Sequence, residues 1–179
     1  DINKIYKKLY SETLKFSMDI VKNDLKILGV KHDSFVYESN LIQKSVVKTV
    51  VKKLEKKEFI YNGALKAPKG EKNDKWKARS QLLFKSTLFG DDTDRALKKE
   101  DDSWTYFASD IAYHFHKVER KFDVLINVLG ADHAGYIKRI KAATKAVSND
   151  KINLICKVSQ LVKLFKSGQP FKMSKRKGD

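Results

Sequence analysis

Cysteine occurs once in the 179 residues, at Cys156. That excludes an intrachain disulfide framework and any zinc cluster built on cysteines, and it fits a reducing compartment. Proline occurs only twice. No apolar run approaches the ~20 residues that a membrane-spanning helix needs. Together these absences predict a cytoplasmic chain with no membrane partner. An initiator methionine is lacking too, since the chain opens on Asp1-Ile2-Asn3-Lys4 with no signal-peptide hydrophobic region. The expectation is a stretch taken from within a longer protein.

Arginine is the scarce member of an abundant class. Of 38 basic residues only Arg79, Arg95, Arg120, Arg139 and Arg176 are arginine, against 22 acidic residues and a net charge of +16. Such an excess suits a polyanion such as nucleic acid, because cations on phosphate release counterions. Base readout and bidentate phosphate clamps favour arginine's planar fork, however, so scattered lysines fit a solvated surface equally well. Charge alone leaves both readings open. Apolar residues make up 41% and aromatics 11%, enough to build a core and to exclude a disordered chain.

Periodicity organises what is present. Ile2, Ile5, Tyr6 and Leu9, followed by Phe16, Ile20, Val21, Leu25 and Leu28, predict one or two amphipathic helices ending at Gly29. Ser34–Tyr37 is a short strand candidate, and Val46, Val47, Val50, Val51 and Leu54 mark a further helix. Phe59-Ile60-Tyr61 and Ala64-Leu65 flank Asn62-Gly63, a pair that predicts a tight hairpin. Residues 66–80 are polar and lysine-rich and read as loop. Residues 81–102 read as strand, turn and strand.

The last third reads helix, strand, helix, strand: Thr105–Val118, a buried Val124–Leu129, Asp132–Val147, and a buried Ile152–Cys156. Near-continuous apolar strands alternating with helices predict parallel strands with helical crossovers, as in an α/β nucleotide-binding sheet.

Several clusters suggest chemistry. His114 and His116 stand two apart on a helix and cannot share a metal, and no metal-ligand spacing occurs elsewhere, so no metal site is expected. Asp91-Asp92-Thr93-Asp94 lacks the calcium-loop pattern and reads as a solvated turn. Gly130-Ala131-Asp132-His133 follows a strand and opens a helix, where an open sheet places its ligand. Asp132 there suits either ribose hydroxyls or a helix N-cap. Tyr106 and Asp110 stand at i, i+4 on one helix face, either as a wall for a guanidinium or as an ordinary carboxylate beside lysines. Phe171-Lys172-Met173-Ser174-Lys175-Arg176-Lys177-Gly178 is a cationic run suited to triphosphate, or a basic tail.

These segments carry a resemblance. Lys172-Met173-Ser174-Lys175 resembles the KMSK signature of class I aminoacyl-tRNA synthetases. Gly130-Ala131-Asp132-His133-Ala134-Gly135-Tyr136 is similar to the G-A-D-H-H-G-Y segment of arginyl-tRNA synthetases, and Asp102–Tyr113 to their D-G-S-x-T-Y-x-x-x-D-I-A-Y stretch. Gly90–Arg95 and Tyr61–Ala64 fit that family in order and spacing. The departures are Ala134 in place of a second histidine and Asp102 in place of glycine.

The resemblance implies an α/β fold, a partial Rossmann-like parallel sheet with helical crossovers and an inserted small β-containing segment. Residues 1–57 would close the first catalytic half, 58–102 form the insertion, and 103–179 form the second half through the KMSK loop. It implies that Tyr106 and Asp110 contact arginine, with Asp110 facing the guanidinium. Gly130, Asp132, His133 and Met173 would line the ATP and adenylate site. Lys172 and Lys175 would steady pyrophosphate, with Ser174 shaping the loop. The implied activity is arginine–tRNA ligation with arginine, Mg-ATP and tRNA(Arg) as partners, no protein-bound zinc, and a monomeric full-length enzyme. None of His32, His114, His116 or His133 begins or ends the H-x-G-H signature of class I enzymes, and the anticodon-reading domain would follow Asp179. The resemblance therefore implies an internal stretch that is inactive alone. A class I enzyme for another amino acid and a non-catalytic basic RNA-binding module are the alternatives.

Overall fold

In a computed structural model, residues 1–65 and 79–171 are described, and they divide into two compact units, residues 1–37 and 38–179. The first unit holds one continuous helix, α1 (Ile2–Ile27). Asp1 caps its start by accepting the Asn3 N–H at 3.1 Å. Gly29, at φ +74°, ends it: the Gly29 and Val30 amides donate to the Lys26 and Leu25 carbonyls, the paired bonds of a Schellman motif. The expected strand at Ser34–Tyr37 does not form. A strand needs a ladder partner, and Phe35 packs instead against the His32 ring and the Lys22 ammonium.

In the second unit a short helix, α2 (Glu38–Gln43), which periodicity did not mark, precedes α3 (Val46–Glu55). The valine stripe of α3 is buried as its spacing predicts. Val47, Val50, Val51 and Leu54 share one core with Phe84, Leu97, Phe107, Ile111 and the small residues Ala108, Ala112, Ala143 and Ala146. Those alanines belong to the helices α4 (Tyr106–Glu119) and α5 (Ile137–Ser148), whose backbones their small side chains allow to approach closely.

Three short antiparallel strands, β1 (Ile60–Gly63), β2 (Gln81–Phe84) and β3 (Arg95–Ala96), form a sheet in that order. The hairpin expected at Asn62-Gly63 is absent. Both residues lie inside β1, opposite Leu82 and Gln81. Gly63 is needed there for a different reason, because a Cβ on it would lie 2.6 Å from the Tyr61 ring.

β4 (Val124–Gly130) and β5 (Asn153–Ser159) pair in parallel across α5, as the helix–strand order predicts. Leu125 and Leu154 are buried with Ile140 of α5, and Val118 of α4 packs against them. The expectation of a strand buried on both faces is corrected. Val124, Ile126 and Val128 alternate outward, with Ile126 61% and Val128 73% exposed, because among the described residues both helices cover one face only. The last strands, β6 (Leu164–Lys166) and β7 (Gln169–Phe171), form a hairpin whose turn residues Ser167 and Gly168 both have positive φ, as a type I′ turn requires. The chain is an α/β protein with a two-stranded parallel sheet and packed helices. Among the described residues no helix is long and apolar enough to cross a membrane.

Candidate functional site

The site is built where α4 begins and β4 ends. Thr105 fixes the first of these. Its hydroxyl accepts the Ala108 N–H at 3.2 Å as N-cap and donates to the Ala96 carbonyl at 2.9 Å, so α4 starts tied to β3. Tyr106 and Asp110 follow on one face, one turn apart. Tyr106 is 76% exposed, with the Lys99 ammonium 5.6 Å from its ring centre. Asp110 is half-buried.

Beyond the carboxyl end of β4 the chain makes a 3₁₀ turn, Ala131–Tyr136, before α5. Asp132 is not the cap of this turn. Gly130 takes the cap position and no side chain supplies a capping bond, while the Asp132 carboxylate lies close over Gly130, where a Cβ would collide with it. His133 and Asp132 are both exposed, with Nε2 and Oδ2 3.6 Å apart.

Tyr136 joins the two segments. Its hydroxyl donates to Asp110 Oδ2 at 2.7 Å. Burial pushes the Asp110 carboxyl above its ordinary range, and Glu38 adds to this; the Tyr136 bond, Lys117 and His133 act in the opposite direction. Burial, and then Asp110, pushes the Tyr136 phenol strongly up, so it stays a donor. No lysine forms an ion pair with Asp110 among the described residues.

Behind Asp110 lies a polar chain that spacing did not reveal. His114 Nδ1 donates to the Asp110 carbonyl at 2.8 Å, so its Nε2 is bare and accepts from the Asn127 amide at 2.9 Å. Asn127 Oδ1 in turn accepts from Lys117 Nζ at 2.8 Å. A flipped amide would set its nitrogen against the ammonium, donor to donor, so the lysine fixes the orientation. Burial lowers the His114 pKa to about 4 and also lowers that of Lys117. The one hint in the sequence was Asn127, a lone polar residue within an apolar strand.

The aspartate cluster is corrected as well. Asp91 is not solvated: it is buried and accepts from Arg95 Nε and Nη2, both at 2.7 Å, and from Ser86 at 2.7 Å. Asp94 accepts from Thr87 and Tyr61, and Asp92 from Lys138. No group of three potential metal ligands occurs among the described residues. Asp102, where the resembled family has glycine, takes φ +61°, a left-handed conformation that aspartate tolerates. Lys172, Met173, Ser174 and Lys175 lie outside the described residues.

No protein-family model matches the chain. Individual relatives do. An arginine–tRNA ligase from Pelagibacter ubique is 57% identical over 98% of the chain, one from Roseobacter denitrificans 54% over 90%, and one from Anaplasma phagocytophilum 51% over 94%. The chain spans 28–30% of the length of these relatives. A crystal structure assigned to an arginyl-tRNA synthetase from Campylobacter jejuni superposes with a TM-score of 0.67 at 33% identity, over 87% of this chain and 31% of that one. Along nearly its whole length, then, the chain is homologous to a segment making up about 30% of the arginine–tRNA ligases.

Proposed function

We propose that the chain supplies the arginine-binding residues and part of the nucleotide site of an arginine–tRNA ligase. The observation that carries this reading is Asp110: a half-buried carboxylate with no cationic partner among the described residues, tied by Tyr136 to the turn that follows the carboxyl end of a parallel strand. A guanidinium would neutralise it through paired N–H donors, and Tyr106 would form the outer wall. Gly130, Asp132 and His133 would take the adenosine portion of Mg-ATP beyond β4, in the manner of a Rossmann-like sheet. The arginine carboxylate then attacks the α-phosphorus. A new P–O bond forms as the bond to the β-phosphate bridging oxygen breaks, and pyrophosphate leaves. Lys172 and Lys175 would stabilise that leaving charge, with Met173 lining the ATP and adenylate site and Ser174 shaping the loop. In the second step a terminal ribose hydroxyl of tRNA(Arg) attacks the arginyl carbonyl and AMP leaves.

The partition into 1–57, 58–102 and 103–179 belongs to the same proposal, supported by the antiparallel sheet falling within 58–102. A monomeric, cytoplasmic full-length enzyme is part of it too. The test is arginine-dependent ATP–pyrophosphate exchange in a full-length ligase carrying this segment, with tRNA present. Lys175→Ala and Asp110→Ala should each lower exchange by about 100-fold or more. Wild-type exchange in both would overturn the site assignment.

A further inference from the structure

We infer that Tyr136 is a positioning residue for arginine selection, acting through Asp110. The inference rests on the proposed role of Asp110 and names what holds that carboxylate in place.

A guanidinium is planar and donates through a fork, so it rewards a carboxylate whose plane is fixed. A freely rotating carboxylate would serve a compact ammonium nearly as well. Asp110 sits on α4, and helix geometry alone leaves its terminal torsion broad. The Tyr136 hydroxyl removes that freedom by donating to Oδ2 at 2.7 Å, leaving Oδ1 and the outer lone pair of Oδ2 for a ligand.

The donor is itself immobilised. The Tyr136 ring meets Phe107 edge to face at 6.4 Å and lies under the Arg139 guanidinium at 5.1 Å. It packs against both hydrophobic clusters of the second unit. A phenol anchored this way cannot follow a carboxylate that turns; it sets the carboxylate's orientation instead. Its proton stays on oxygen across the working pH range because burial and Asp110 both oppose ionisation.

The other groups that act on Asp110 do so by charge and not by contact. Glu38 of α2 disfavours its ionisation, while Lys117 of α4 and His133 of the 3₁₀ turn favour it. Only Tyr136 among these forms a hydrogen bond to its carboxylate in the described residues. Tyr136 therefore does two things: it orients the carboxylate, and its hydrogen bond partly offsets the effect of burial on that carboxyl.

The test is Tyr136→Phe in a full-length ligase carrying this segment, assayed by pyrophosphate exchange with tRNA present. Phenylalanine keeps the ring packing and removes only the donor. KM for arginine should rise about tenfold, the scale of one hydrogen bond to a charged group, with KM for ATP within about twofold. The acid limb of kcat/KM for arginine should move to higher pH, since the carboxyl loses a bond that favours its ionised form. In an Asp110→Asn background the same change should add little, because the interaction is already gone. If Asp110→Asn raises KM for arginine while Tyr136→Phe leaves both KM and the acid limb unmoved, positioning by Tyr136 is wrong and the Asp110 assignment stands. If Asp110→Asn itself leaves KM for arginine unchanged, that assignment fails first. A uniform loss of activity with an unmoved acid limb assigns Tyr136 a structural role only, and overturns the inference.

Discussion

Two carboxylates lie on neighbouring parts of the second unit and are treated in opposite ways. In the turn at Gly90–Arg95, Asp91 is buried yet receives a bidentate guanidinium, a serine hydroxyl and a backbone amide. Burial acts to raise its pKa, but those donors prevail and the carboxyl is held below its ordinary value. On α4, Asp110 is half-buried with a single neutral side-chain donor among the described residues, and burial prevails. The same chemical group is paired with a guanidinium in one place and, among the described residues, has only a neutral donor in the other. The direction of each shift is thus set by the donors each carboxylate receives and not by burial alone.

The largest expected effect tests that difference directly. Asp91→Ala strands the Arg95 guanidinium and should destabilise the chain by about 3 kcal/mol or more. Asp110→Asn, by contrast, relieves a desolvated charge and should leave stability within about 1 kcal/mol of wild type or raise it. Urea denaturation of the 179-residue chain at pH 7 measures both. Comparable losses in the two variants would erase the contrast.

The next effect concerns pH. The His114 pKa is about 4 in the folded chain against an ordinary 6.5, so the folded form binds fewer protons between these values. Its contribution is fully present above pH 6.5 and is lost as pH falls toward 4, roughly 3 kcal/mol across the window. In His114→Gln the loss of stability between pH 7 and pH 4.5 should be visibly smaller than in wild type. An identical slope would mean that His114 is protonated already or titrates freely.

The smallest expected effect is at the rim of the same aspartate turn. Lys138 meets Asp92 at 2.7 Å, but both side chains are largely exposed. Water and salt screen such a pair, so Lys138→Ala should leave the denaturation midpoint unchanged within error. A clear loss would show that the turn depends on its surface charges as well as on Asp91.

Much of this contrast was out of reach for the sequence, and the reason is physical. Local periodicity carries α1, α3, α4 and the strand–helix–strand order of β4 and β5, because each depends on neighbours within a few residues. Asn62-Gly63 misled because the partner of β1 is supplied across a long connection, so a residue pair suited to a turn lies in a ladder. Asp91 looked solvated because composition cannot show which aspartate a guanidinium will bury. Tyr106 and Asp110 were legible as a pair on one helix face, but the Tyr136 bond spans 26 residues and joins two separate motifs. The same holds for Asn127, thirteen residues from His114.

Tyr136 has one more consequence. Its ring belongs to the packing of both hydrophobic clusters, the three-helix core and the smaller one under the parallel strands. Neither cluster can open at that point without withdrawing the phenol from Asp110. In hydrogen-exchange terms, amides near Phe107 on one side and Leu125 and Ile140 on the other should share part of their opening free energy. A ligand held by Asp110 would then slow exchange in both clusters at once, although it touches neither.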